Sequence, residues 1–182
     1  MRSHNFWYLA PLMMIMIASS AFASSPSNVI ITFVHPERFT DFRAQDWPEQ
    51  RTALWFAKDM TAALAPLVVK RAPGCRLTLQ FTDIDLGGRY EPRLEPKFSQ
   101  IRFYHNGREP VRLYFNYTLT DPHGGVLASA SDAATDALYL DRYPTESIEI
   151  RYEEFFFEKQ VLLSWVRTKV SPSANTQFIQ KR

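Results

Sequence analysis

Cysteine is nearly absent from this chain of 182 residues: Cys75 stands alone. An internal disulfide is therefore excluded, and a zinc centre built on thiolates has no ligand set. Histidine offers little more. His35, His105 and His123 each fall in a turn, without the i, i+4 pair of a metal helix, and are expected to face solvent. There is no Gly-x-Ser-x-Gly elbow, no phosphate-cradling glycine loop and no dinucleotide turn, since "LGGRY" has the wrong spacing. Charge of one sign is lacking too. Twenty-one basic and nineteen acidic residues are interspersed, for a net +2, which does not indicate nucleic acid or an anionic membrane surface as partner.

A long apolar run is also missing. The start, "MRSHNFWYLAPLMMIMIASSAFASS", has Arg2, a 13-residue apolar stretch from Phe6 to Ala18, and a small-x-small site at Ala21-Phe22-Ala23. That is the layout of a secretory signal peptide, and the apolar stretch is shorter than the roughly 20 residues a spanning helix needs. Cleavage is expected after Ala23. Export with so few cysteines points to a bacterial periplasm, with Cys75 a buried, unreactive thiol. No later segment reads as apolar enough to span a bilayer, so a soluble mature protein is expected. Residues 24–170 make one domain, and the polar residues 171–182 a fraying tail.

What is present is alternation and helical spacing. "NVIITFVHP" is apolar on both parities and reads as a central strand covered on both faces. "DWPEQRTALWFAKDMTAALAPLVVK" opens with Asp46 as N-cap, Pro48 in the first turn and Glu49 completing a capping box. Phe56, Met60, Ala63 and Leu67 recur at helical spacing with Leu64 beside them, and Pro66 should end or kink the helix near Ala65. A strand follows from Arg76 to Thr82, and residues 87–100 read as a long loop. "IRFYH" is a short strand before an Asn-Gly turn. "VRLYFNYTLT" and "VLASAS" form a hairpin around the five residues "DPHGG". Asp132 to Ser147 resists assignment. "YEEFFFEKQVLLSWVRTKV" is a helix of about five turns, with Phe155, Leu162 and Val166 on one face and Phe157, Val161 and Trp165 on the next. The order β-α-β-β-β-β-α describes a single α+β domain with a mostly antiparallel sheet and helices packed on one face. Its first two strands should run parallel.

The most informative stretch is "LTLQFTDIDLGG". Leu77, Leu79 and Phe81 alternate with polar residues, and then the phase slips, so that Asp83 and Asp85 take the apolar parity. A calcium loop does not fit: position five is Gly87 and position twelve is Leu94 instead of a glutamate, and a strand precedes it. Two acids spaced by one residue on a strand point the same way, about 7 Å apart, without a cleft between them. A β-bulge, or the end of strand pairing, explains the slip. It returns Ile84 and Leu86 to the core, turns the carboxylates to solvent or backbone N–H groups, and leaves Gly87 and Gly88 to supply the positive φ.

The segments "VIITFVHPERFTDFR", "FTDIDLGGRYEP", a short "IR", "VRLYFNYTLTDPHGGVLAS" and "YEEFFFEKQVLLSW" resemble the domain of unknown function 3016 family of secreted proteobacterial proteins. The similarity spans about residues 28 to 166. Its most specific piece is met by Thr82, Asp83, Asp85, Leu86 and Gly88. Pro36, Phe39 and Asp41 resemble the first block, and Trp165 the last. Gly87 stands where alanine is expected, and Glu109-Pro110 where paired prolines are. The resemblance implies periplasmic placement and one domain, with no assigned activity or cofactor.

Candidate binding residues are therefore Asp41, Asp83, Asp85, Gly87 and Gly88, with no catalytic residue, metal ligand or cofactor assigned. The expected role is a non-catalytic binding or interaction protein of the envelope, its partner an envelope protein or small ligand. The alternative is an acid-dependent enzyme or metal-dependent binding module, in which Asp41 would have to fold beside Asp83 and Asp85.

Overall fold

The computed structural model describes residues 27–44, 47–90, 102–104, 108–142 and 154–170. The expected leader and cleavage site, Asp46, the expected Asn-Gly turn with His105, and the expected C-terminal tail lie outside these residues. Within them the α+β reading holds. Strand β1 (Val29–Phe33) leads through a short 3-10 turn to helix α1 (Glu49–Arg71) and strand β2 (Arg76–Asp85). Strands β3 (Arg89–Tyr90), β4 (Arg102–Phe103), β5 (Val111–Thr120) and β6 (Val126–Asp136) follow, then helices α2 (Tyr139–Arg142) and α3 (Phe156–Lys169). The main sheet runs β1-β2-β5-β6, with β1 parallel to β2 and the other pairs antiparallel.

β1 is an edge strand of that sheet among the described residues, not a central one. Its apolar residues on both parities misled: Val29 is buried under the helices, whereas Ile30 and Val34 are each more than a third exposed on the uncovered face. That open face is polar elsewhere. Asn116 donates to Gln80 at 3.3 Å, and Ser131 donates to Asn116 at 2.6 Å, across three strands. Polar pairing lets a sheet face water on one side while the other is packed.

α1 starts at Glu49 with Pro48 in the capping position, one residue ahead of the first turn; the Pro48 carbonyl accepts the Arg51 and Thr52 N–H groups. The buried stripe is Phe56, Met60, Leu64 and Val68, with Ala63 and Leu67 only half-buried. Pro66 does not end the helix, which runs on to Arg71. Pro66 and Ala62, whose carbonyl would have bonded to residue 66, are both exposed, so that carbonyl is open to solvent instead of buried without a partner. By length and composition alone this helix could cross a bilayer, contrary to the sequence expectation. Its Phe56–Val68 stripe is instead the centre of the core.

Residues 87–100, expected as one long loop, include β3, and β3 pairs with β4 in a separate two-stranded sheet. Of the expected "IRFYH" strand, Arg102 and Phe103 form β4, which lies outside the main sheet; Ile101 and His105 lie outside the described residues. Of the stretch that resisted assignment, residues 132–142 continue β6 to Asp136 and then form α2; residues 143–147 lie outside the described residues. α3 begins four residues later than its sequence suggests, because buried Phe155 adopts a left-handed backbone (φ 60°) ahead of it. The helix is four turns long, not five.

The core is aromatic. Phe56 meets Phe42, Phe81 and Phe155 edge-on with centroids 5.2–5.5 Å apart, and Phe81 meets Phe115 at 5.4 Å. Each such pair contributes about 0.5–1.5 kcal/mol beyond its area burial. Trp165 closes the far end, edge-on to Phe115 at 4.9 Å and Tyr117 at 5.1 Å, with its indole N–H donating to Asp132 at 3.1 Å. Trp165→Ala should cost ~3–5 kcal/mol in urea unfolding, as deletion of a buried aromatic does. A loss below about 1 kcal/mol would mean that α3 is not docked through this ring.

Candidate functional site

The register of β2 against β5 shifts between Phe81 and Asp83, leaving Thr82 as the extra residue of a β-bulge. Before the bulge Leu77, Leu79 and Phe81 face the helices; after it Ile84 and Leu86 do, at 0% and 3% exposure. Asp83 and Asp85 are thereby turned onto the open face, opposite Tyr114 and Arg112. Pairing does not stop at the slip: β2 continues through Asp85.

Asp41 does fold beside this corner. Its N–H donates to the Ile84 carbonyl at 3.1 Å and its carbonyl accepts the Leu86 N–H at 3.0 Å, a one-residue parallel bridge to Asp85. Each of the three acids has an intramolecular partner. Arg102 grips Asp41 with both arms of its guanidinium, at 2.8 and 3.0 Å. Asp83 accepts the backbone N–H and the hydroxyl of Thr40, both at 2.7 Å. Asp85 accepts from Arg112 at 2.7 Å. Burial raises the Asp85 pKa despite that arginine, with Asp41 and Asp83 adding repulsion.

Arg102 does more than neutralise Asp41. Its Nη1 also donates to the Gly88 carbonyl at 2.8 Å and the Gly87 carbonyl at 3.3 Å, and its Nη2 to the Arg43 carbonyl at 3.0 Å. Of the two glycines expected to supply a positive φ, Gly88 alone does so (φ +70°), and a Cβ there would run into the Phe103 carbonyl oxygen. Only glycine fits. The Gly87 N–H donates to Glu158 Oε1 at 2.8 Å, tying the first turn of α3 to the corner. Glu158 is buried, and desolvation raises its pKa, opposed by its hydrogen bonds to Gly87 and to its own backbone N–H and by Arg102. Burial, with Glu158 nearby, pushes the Tyr139 phenol up to about 12.

Among the described residues no group of three or more His, Cys, Asp and Glu side chains is arranged to hold a metal ion. His35 and His123 are exposed turn residues, and Cys75 is a buried free thiol whose pKa burial raises. A partly open pocket of about 370 Å³, lined by Cys75 and residues 120–124 of the hairpin turn, lies away from the three acids.

The family model described as "Protein of unknown function (DUF3016)" matches residues 27–168. The chain belongs to that family. No curated protein and no solved structure matches it. The family resemblance at Thr82, Asp83, Asp85, Leu86 and Gly88 thus falls on the bulge and the turn behind it. At Gly87 a Cβ would stand 3.0 Å from Val111 Cγ2 and 3.3 Å from the Tyr139 ring, so the alanine expected there would need those neighbours to give way.

Two residues that organise the corner escaped sequence reasoning. Arg102 was visible only as the arginine of the short "IR" block. Glu158 sits among the charges of "YEEFFFEKQ" and carries no mark of burial.

Two outcomes are expected from unfolding experiments. Asp83→Ala should lose ~0.5–2 kcal/mol and Asp83→Asn much less, since Asn still accepts the Thr40 N–H while Thr40 Oγ1 can accept from its amide. Stabilisation by Asn would mark the acid as held for function instead of structure. For Glu158 the pH dependence is decisive. A carboxyl whose folded pKa lies above its unfolded value binds more protons when folded, so stability falls as pH rises from about 4.5 through the folded pKa, and stays lower beyond it. Glu158→Gln should match the parent at acid pH and exceed it at neutral pH. Glu158→Ala should lose ~1–3 kcal/mol at acid pH, where the Gly87 N–H is left without its acceptor. A variant-minus-parent difference that is flat with pH would show Glu158 to be hydrated.

Proposed function

We propose that this chain is an exported, periplasmic, non-catalytic binding or interaction protein of the bacterial envelope. The single observation that carries the non-catalytic reading is that Asp41, Asp83 and Asp85 are each committed to a short intramolecular contact. A general acid or base must be free to exchange a proton with a substrate, and a metal ligand must turn its lone pairs to an ion. The corner serves better as a platform. Asp41, Gly87 and Gly88 fix it from behind, while Asp83 and Asp85 present a mixed-charge strip on the open face with Arg112 and the 40%-exposed Tyr114. Such a strip suits a polar partner. The signal-peptide layout of residues 1–23 supports export.

The alternative, an acid-dependent enzyme or metal-dependent module, draws on the adjacency of Asp41 and Asp85 and on the raised pKa of Asp85. One preparation separates the two. The full chain is expressed in a Gram-negative host, recovered from the periplasm, and expected by mass spectrometry to begin at Ser24. The purified protein is then heated with saturating Ca²⁺ or Zn²⁺. The melting temperature should move by less than about a degree, whereas tight native-state binding would add several kcal/mol and several degrees. A full-length chain retained in the membrane would overturn the localisation. A metal shift abolished by Asp83→Asn with Asp85→Asn would overturn the non-metal reading.

A further inference from the structure

The outward face of α1 has a composition the corner does not account for. While Phe56, Met60, Leu64 and Val68 pack into the core, the exposed positions from Arg51 to Lys70 are Arg51, Leu54, Trp55, Lys58, Ala62, Pro66, Val69 and Lys70. Five are apolar, three are cationic and none is acidic. Leu54 is 73% exposed, Val69 54% and Trp55 49%. The helix's two acids lie off this stripe, Glu49 half-buried at its start and Asp59 paired to Lys159 at 2.9 Å. At one end Trp55 packs edge-on against Trp47 at 4.8 Å, and the Arg51 guanidinium covers the Trp47 ring at 4.4 Å.

Whole-chain charge gave no sign of an anionic membrane surface as partner, but on this one face the cations stand without acids, and we infer that this ridge of α1 is a docking surface for an anionic lipid bilayer, on which the domain lies without spanning it. Exposed leucine, tryptophan and valine interleaved with cations is the chemistry of a helix seated at the headgroup level. The apolar side chains enter the acyl boundary, tryptophan sits at the interface, and Arg and Lys heads reach lipid phosphates. A second copy of this chain fits less well, because a two-fold contact would bring Arg51, Lys58 and Lys70 of both copies together with no acid between them. A protein partner fits less well on area. The ridge spans about 30 Å by about 10 Å, roughly 300 Å², against about 800 Å² on each side of a stable protein interface. A bilayer needs neither a complementary groove nor that area. The inference is independent of the role of the corner, which lies on other elements.

The test is co-sedimentation of the purified protein with phosphatidylcholine vesicles, with and without phosphatidylglycerol. Binding is expected only with phosphatidylglycerol, weakening as salt rises. Lys58→Gln and Lys70→Gln should each lower the partition coefficient about five-fold. Leu54→Ser should lower it about ten-fold or more. Arg76→Gln, on the open face of the sheet, should leave it unchanged. All four positions are exposed, so the urea midpoints should match the parent and a folding defect is separable from a binding defect. Failure to bind phosphatidylglycerol vesicles, equal binding to both kinds, or binding untouched by the α1 variants would overturn the inference. So would a concentration-dependent dimer dissolved by Leu54→Ser, or an acidic protein captured through this face in place of lipid.

Discussion

One guanidinium holds the candidate site together. Among the described residues, the two-residue β4 pairs only with the equally short β3, far too little ladder to be stable alone. Arg102, at its start, inserts a side chain only 10% exposed between three chain segments. It meets a carboxylate with both arms and turns remaining donors to the carbonyls of Arg43, Gly87 and Gly88. A planar fork of five fixed donors can satisfy such a set; a lysine ammonium cannot. Asp41 balances the charge that burial would otherwise make costly. The arrangement also explains Gly88, since the Arg102–Phe103 backbone passes too close for any side chain there.

The bulge at Thr82 decides what faces outward. Without the extra residue, Asp83 and Asp85 would enter the layer occupied by Phe56 and Phe115, and Ile84 and Leu86 would face solvent. With it, the strand keeps its pairing to β5 while its two halves present opposite parities to the core. The acids then find partners on the open face. Glu158 is the converse case: a carboxyl taken inside to accept the Gly87 N–H at 2.8 Å, so that the last helix and the corner are fastened by one buried hydrogen bond. Core, corner and α3 therefore form one connected unit, and α1 contributes one face to it.

Much of this was legible from residue order. Alternation in "VRLYFNYTLT" and the "DPHGG" turn defined the β5–β6 hairpin, where Asp121 Oδ1 accepts the His123 and Gly125 N–H groups as turn chemistry requires. The phase slip at Asp83 marked the bulge, because a period of two leaves one-residue errors visible. Errors arose where a local rule depends on surroundings. Pro66 does not end the helix, because Ala62, whose carbonyl loses its helical partner, is exposed and leaves no polar group buried without one. Two-sided apolarity signals a central strand only when both faces are covered, and Ile30 and Val34 are not covered.

The sequence by itself determined the longer elements (β1, α1, β2, the β5–β6 hairpin and the last helix), the parity slip in β2 and the α+β class, because periodicity and turn residues act over a few positions; β3 and α2 are too short to show a period. Only the tertiary structure decided that Asp41 meets Asp85, that Arg102 joins them to Gly87 and Gly88, and that Glu158 is buried. Those contacts link residues 14 to 71 positions apart. Whether a charged side chain is solvated, paired or buried depends on what the rest of the chain packs against it, and no local spacing encodes that.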